Sequence, residues 1–199
     1  TMTHRLITQA ALFTAALACG LVQSGAAFAD NGNAARIKRG AFLIAAGACV
    51  TCHTPFRMGA SAPEKDMARG LSGHPESLKL APPPKLDNDW NWAGSATMTA
   101  FIGPWGTTYA ANLTPDRETG IGSWKEKNFV QAMRTGNHVG VARPIMPPMP
   151  WQAIGTLPDS DLRAMYAYLM AQPAVKNKVP DYAPPATATA GAGTGKHPG

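Results

Sequence analysis

Cys49-Val50-Thr51-Cys52-His53 lies in a chain of 199 residues, and a C-x-x-C-H run is the attachment signature of a c-type haem. Spaced three apart, Cys49 and Cys52 can meet both vinyl groups of one porphyrin through thioether bonds. The next residue, His53, then brings an imidazole nitrogen under the iron. Electron transfer is the first expectation. The rival readings of such a pair are a disulfide, a redox dithiol or half of a zinc site. A zinc site needs about two further ligands at comparable spacing, yet no cysteine lies downstream of Cys52, and His74, His138 and His197 stand isolated. A thioredoxin-like dithiol wants a βαβ surround, and none is legible.

The N-terminus agrees with such a cofactor. His4 and Arg5 give a positive start, Leu6 to Val22 is mostly apolar, and Ala27-Phe28-Ala29 has the small-residue pattern of a cleavage site. A cleavable export signal over 1–29 is expected, and with it a periplasmic location and no transmembrane segment in the mature form. An uncleaved membrane anchor is the alternative, although the apolar run is short of the ~20 residues a spanning helix needs. Acylation of Cys19 is a third reading. Loss of Cys19 and Arg5 with the leader leaves both remaining cysteines in the haem motif and lowers the formal net charge from +6 by one. The basic residues are scattered singly, which speaks against nucleic-acid binding and for steering towards an acidic redox partner.

Apolar residues at Ile37, Ala41, Ile44 and Ala48, widened by Ala34, Phe42 and Ala45, predict a first helix over 33–48 with the haem motif at its end. Gly40 inside it calls for a packing reason. From Thr54 to Pro104 prolines and glycines break every long period, so a long irregular loop is expected, with Trp90, Trp92 and Trp105 candidates to line a haem. Ser123-Trp124-Lys125-Glu126 reads as a capping box opening a second helix that stops at Gly136. A third helix is predicted from Asp159, as N-cap, to Ala171, with Leu162, Met165, Tyr166 and Leu169 on one face. The expectation is an all-α fold of three main helices around one covalently bound haem, joined by long irregular loops. It occupies 30–182, and a Pro/Ala/Thr/Gly tail over 183–199 has too little to bury.

His53 supplies one axial position, and the other decides between a carrier and a haem that binds small molecules. Between the last two predicted helices runs Arg143-Pro144-Ile145-Met146-Pro147-Pro148-Met149-Pro150-Trp151, whose prolines favour an extended strap. Such a strap lowers the entropy lost in presenting one sulfur to the iron. Met149, enclosed by two prolines, is the first candidate. Met146 comes second, and His138 and His74 stay open behind them.

The order C-x-x-C-H, Ala111-Asn112-Leu113-Thr114-Pro115-Asp116, Thr119-Gly120-Ile121-Gly122-Ser123-Trp124, Met149-Pro150-Trp151 and Ala167-Tyr168-Leu169 resembles bacterial class I cytochromes c. In particular it is similar to the haem domains of the cytochrome subunits of periplasmic dehydrogenases. The resemblance, over about Arg36 to Pro184, implies Met149 as sixth ligand. It also implies that Gly40 lets the first helix cross the last against Tyr168-Leu169. The single C-x-x-C-H implies one haem c per chain. Cys49, Cys52, His53 and Met149 are the expected cofactor-binding residues, with His53 and Met149 on the iron. The expected role is a non-enzymatic one-electron carrier between a dehydrogenase or other donor and an oxidase or another cytochrome. The alternatives are a permanently bound dehydrogenase subunit, or a haem catalyst or sensor with a displaceable sixth ligand and His138 or Arg143 near its open face.

Overall fold

Gly40 is where the helical framework closes. The computed structural model describes residues 32–87, 89–138 and 143–185; the leader over 1–29 and the tail beyond Pro185 lie outside the described residues. Helix α1 runs over 32–46 and buries Gly40, Leu43 and Ile44. Ala45, Ala48 and Phe42, expected on the apolar face, are exposed, Phe42 to 61%. The buried face is therefore turned about one residue from the sequence estimate. Its centre is a glycine, which carries no hydropathy signal. A Cβ at Gly40 would collide with the Ala164 carbonyl and come within 2.7 Å of Tyr168 Cβ, so α1 crosses the last helix at backbone contact, as the resemblance implied.

That last helix, α5, spans Asp159–Met170 and places Leu162, Ala164, Met165 and Leu169 in the core. Leu162 and Leu169 are fully buried, each contributing about 1.5–3 kcal/mol of transfer free energy. Helix α3 (Glu126–Thr135) adds Phe129, Ala132 and Met133 to the same cluster. Its start differs from the predicted capping box. Ser123 lies in the preceding turn, and it is Asn128 Oδ1 that accepts the Lys125 N–H at 2.9 Å. Gly136 ends α3 as expected, in the left-handed region at φ 68° where a residue with a Cβ is strained. Asp159 is the first residue of α5 and not its cap; its carboxylate pairs with Arg134 across the α3–α5 contact at 2.6 Å.

The all-α expectation is wrong: the fold is mixed helix and sheet. Two short strands, β1 (Phe56–Met58) and β2 (Pro63–Lys65), form an antiparallel hairpin directly after the haem motif. Three more, β3 (Ala93–Gly94), β4 (Ala100–Gly103) and β5 (Gly106–Tyr109), form an antiparallel sheet in the order β3-β4-β5. Strands of two to four residues are too short to display an alternating pattern. One signal was nevertheless present: Ala100-Phe101-Ile102 and Thr107-Thr108-Tyr109 flank Gly103-Pro104-Trp105-Gly106, and Pro104-Trp105 is the turn of a hairpin in register at Gly103↔Gly106. Two further helices are brief, α2 (Cys49–His53) and α4 (Trp151–Ile154). No helix among the described residues is long and apolar enough to cross a membrane.

The closeness of α1 and α5 makes a measurable demand. Gly40→Val is expected to lower unfolding free energy by about 1–3 kcal/mol through overpacking, seen as a lower denaturant midpoint of the holoprotein. Gly32→Ala, with nothing within 4 Å of its Cβ, should leave the midpoint within about 0.5 kcal/mol of the parent.

Candidate functional site

Helix α1 does not run on into the haem motif. Gly47 and Ala48 form a turn, Ala48 takes a left-handed conformation at φ 53°, and the separate helix α2 then carries Cys49, Cys52 and His53. At a spacing of three the cysteines lie one above the other on a single helical face. Both thiols are free. Burial pushes the Cys49 thiol up to about 11, and burial also raises that of Cys52, opposed by nearby Lys65. Among the described residues no cluster of three or more His, Cys, Asp or Glu could hold a metal ion by itself.

His53 is buried and held at both ends. Its backbone carbonyl accepts the Gly73 N–H at 2.8 Å, and its Nδ1 donates to the Ala111 carbonyl at 2.7 Å. With Nδ1 so engaged, Nε2 is the nitrogen left to coordinate. Burial lowers the His53 pKa, against the opposing pull of the Ala111 carbonyl, which favours the neutral ring. The acceptor belongs to Ala111, in the loop before Asn112-Leu113-Thr114-Pro115. Gly73 stands at φ +78°, and a Cβ there would lie 2.6 Å from the Ala111 carbonyl. Only glycine lets the two segments flanking His53 approach so closely.

The strap places Met146 and Met149 on one cavity of about 530 Å³, walled also by Gly136, Pro144 and Trp151. Ile145 N–H donates to the Gly136 carbonyl at 2.6 Å and Thr108 Oγ1 to the Pro147 carbonyl at 2.9 Å, which ties the strap to α3 and to β5. The residues of α2 do not line that cavity, but Cys49 and Met149 pack on the same apolar cluster. His74 is fully buried, with Nδ1 on Thr99 Oγ1 at 2.9 Å and its ring 4.9 Å from that of Tyr109; its Nε2 is buried without a partner among the described residues. His138 stands beside Arg143 and is lowered to about 4 by burial first and that guanidinium second. Trp90 and Trp92 point largely to solvent, 64% and 43% exposed, whereas the indole nitrogen of Trp105 is buried without a partner.

The donor set fits a haem c: two thiols one turn apart, an imidazole oriented through its far nitrogen, and a neutral thioether on a proline-stiffened strap. The Ala111 carbonyl could not have been found in the sequence, because every residue offers one.

Comparison with known proteins points the same way. The chain is 33% identical over 170 residues to the cytochrome c subunit of the quinone alcohol dehydrogenase of Gluconobacter oxydans, covering 84% of this chain and 28% of that protein. It is 32% identical over 158 residues to the gluconate 2-dehydrogenase cytochrome c subunit of Pantoea cypripedii, 78% of this chain and 27% of the relative. Over 148 residues it is 33% identical to one of the subunits of the nicotinate dehydrogenase of Pseudomonas putida, 74% and 10% of the two chains. The chain thus spans about a quarter or less of the length of these curated relatives. No family model matches.

Gly73→Val is expected to cost about 1–3 kcal/mol of stability from its backbone conformation alone. Denaturant unfolding should show it, with a larger loss than Gly32→Val at the open N-terminal end of α1.

Proposed function

Since the chain belongs to the cytochrome c family and resembles the haem domains of dehydrogenase cytochrome subunits, we propose that it is an exported one-electron carrier holding one covalent haem c. Cys49 and Cys52 would bind the porphyrin through thioethers, and His53 Nε2 and Met149 Sδ would hold the iron. The observation that carries this reading is the His53 Nδ1–H donated to the Ala111 carbonyl at 2.7 Å on the C-x-x-C-H turn. That bond occupies Nδ1 and leaves Nε2 as the nitrogen available to a ligand. Haem c, when bound, supplies an iron that gains and loses one electron.

The chain's own residues do the rest. Thioethers at Cys49 and Cys52 retain the cofactor in both redox states, and the neutral Met149 sulfur favours the reduced iron and raises the potential. A helix and a strap that hold the ligands still keep reorganisation small. No substrate bond is made or broken in this reading. Location in the periplasm rests on the leader over 1–29. The positive formal charge, +6 for the whole chain and one less once Arg5 leaves with the leader, favours an acidic redox partner, with a docking area below about 1,200 Å² suited to fast exchange.

A second reading, a subunit held permanently by a dehydrogenase, is favoured by the names of the relatives and by exposed Trp90 and Trp92. Copurification with a flavin, quinoprotein or molybdenum enzyme at constant stoichiometry separates it from the free carrier.

The spectrum of the purified holoprotein tests the ligands. Met149→Ala should abolish the far-red methionine–iron band and lower the potential markedly, while Met146→Ala should leave both; an unchanged Met149→Ala spectrum refutes the assignment. The double change Cys49→Ala, Cys52→Ala should abolish haem that survives a denaturing gel. Electron exchange with an acidic partner protein should slow between low and physiological salt as charges are screened beyond about 8–10 Å.

A further inference from the structure

After α5 the chain turns back as an extended segment, and Asn177 on that segment is 7% exposed. All its polar groups are used. Its side-chain Nδ2 donates to the carbonyls of Ser72 at 2.7 Å and His74 at 2.8 Å. Its Oδ1 accepts the Glu76 N–H at 2.8 Å. Its backbone N–H goes to Thr119 Oγ1 at 3.0 Å, and its carbonyl accepts Asn112 Nδ2 at 3.3 Å. Asn112 Nδ2 also donates to the Val175 carbonyl at 2.8 Å.

These bonds converge on the two segments that hold His53. Residues 72–76 include Gly73, whose N–H is on the His53 carbonyl, and residues 110–112 include Ala111, whose carbonyl is on the His53 ring. The two segments are joined to each other by His74 N–H on the Ala110 carbonyl at 2.9 Å. Asn177 bonds the first segment with its side chain and the second through Asn112. Neither its position, far from the haem motif in sequence, nor its irregular surroundings would single it out.

We propose that Asn177 is a positioning residue that presses the Ala111 carbonyl onto the His53 ring N–H and thereby sets the reduction potential of the haem. This deepens the reading above and rests on His53 being an iron ligand. A carbonyl held close to Nδ1–H makes the imidazole a stronger donor. A stronger donor favours the oxidised iron and lowers the potential. Release of the clasp should weaken the bond and move the potential up, opposite in sign to the loss of Met149.

The test compares Asn177→Ala and Asn177→Ser with Tyr182→Phe in the holoprotein. Tyr182 donates its hydroxyl to the Trp105 carbonyl, so its loss loosens the same segment without touching the clasp. Thr119→Val, which removes the acceptor of the Asn177 N–H while leaving Asn177 in place, serves if the Asn177 variants do not fold. Equilibrium redox titration should show a higher potential for the Asn177 variants and a smaller rise for Thr119→Val. Exchange of the His53 ring N–H by NMR should quicken on the order of tenfold on loss of about one hydrogen bond's worth of restraint. Tyr182→Phe should leave both unchanged. Hyperfine-shifted His53 signals with potential and exchange unmoved in the Asn177 and Thr119 variants would overturn the positioning role alone. Unshifted His53 signals in the unmodified oxidised protein would overturn the ligation reading and this proposal together.

Discussion

The hydrogen bond from His53 Nδ1 to the Ala111 carbonyl is the contact around which the rest is arranged. Leaving a buried imidazole nitrogen unpaired costs about 1–3 kcal/mol, a cost His53 Nδ1 avoids. Pairing Nδ1 selects the tautomer and leaves Nε2 without a proton. Everything needed to keep one carbonyl in place follows: a glycine at 73 where no Cβ fits, a crossing bond from His74 to Ala110, and the buried amides of Asn112 and Asn177.

The helices and the strands divide the work. α1, α3 and α5 enclose an apolar cluster that includes Cys49 and is touched by Met149, so the two sides of the site are carried on one core. Ion pairs between the helices, such as Arg39 with Asp161 at 2.8 Å, lie at the surface, where solvent screens them and they add little. The sheet β3-β4-β5 serves the periphery: Thr108 on β5 holds the strap at Pro147, and Thr107 pairs with Ala183 at the end of the returning segment. Distal and C-terminal segments are thus both anchored to β5. Trp92 packs edge-on against Phe101 of β4, ring centroids 6.0 Å apart, while Trp90 and Trp92 both keep much of their surface exposed.

Much was legible because it is local. The C-x-x-C-H turn, the three long helices, the Gly136 stop and the proline strap are each written in consecutive residues or in a 3.6-residue period. Where local signals were thin the reading failed. Strands of two to four residues cannot show alternation, so a mixed fold was taken for an all-α one. A buried glycine shifted the face of α1, and a side chain three residues inside α3, Asn128, took the place of the expected cap.

By itself the sequence determined the cofactor class, the number of attachment motifs and the candidate ligands, because covalent chemistry and chain stiffness depend on neighbouring residues. Only the tertiary structure decided which carbonyl orients His53, which residues hold that carbonyl, and that β-strands fill the segment between haem motif and second long helix. The first two rest on pairings between residues as far as 58 and 105 positions apart; the strands pair locally but are too short to leave a period. A backbone carbonyl looks the same everywhere in a sequence; its meaning comes from what the fold brings to face it.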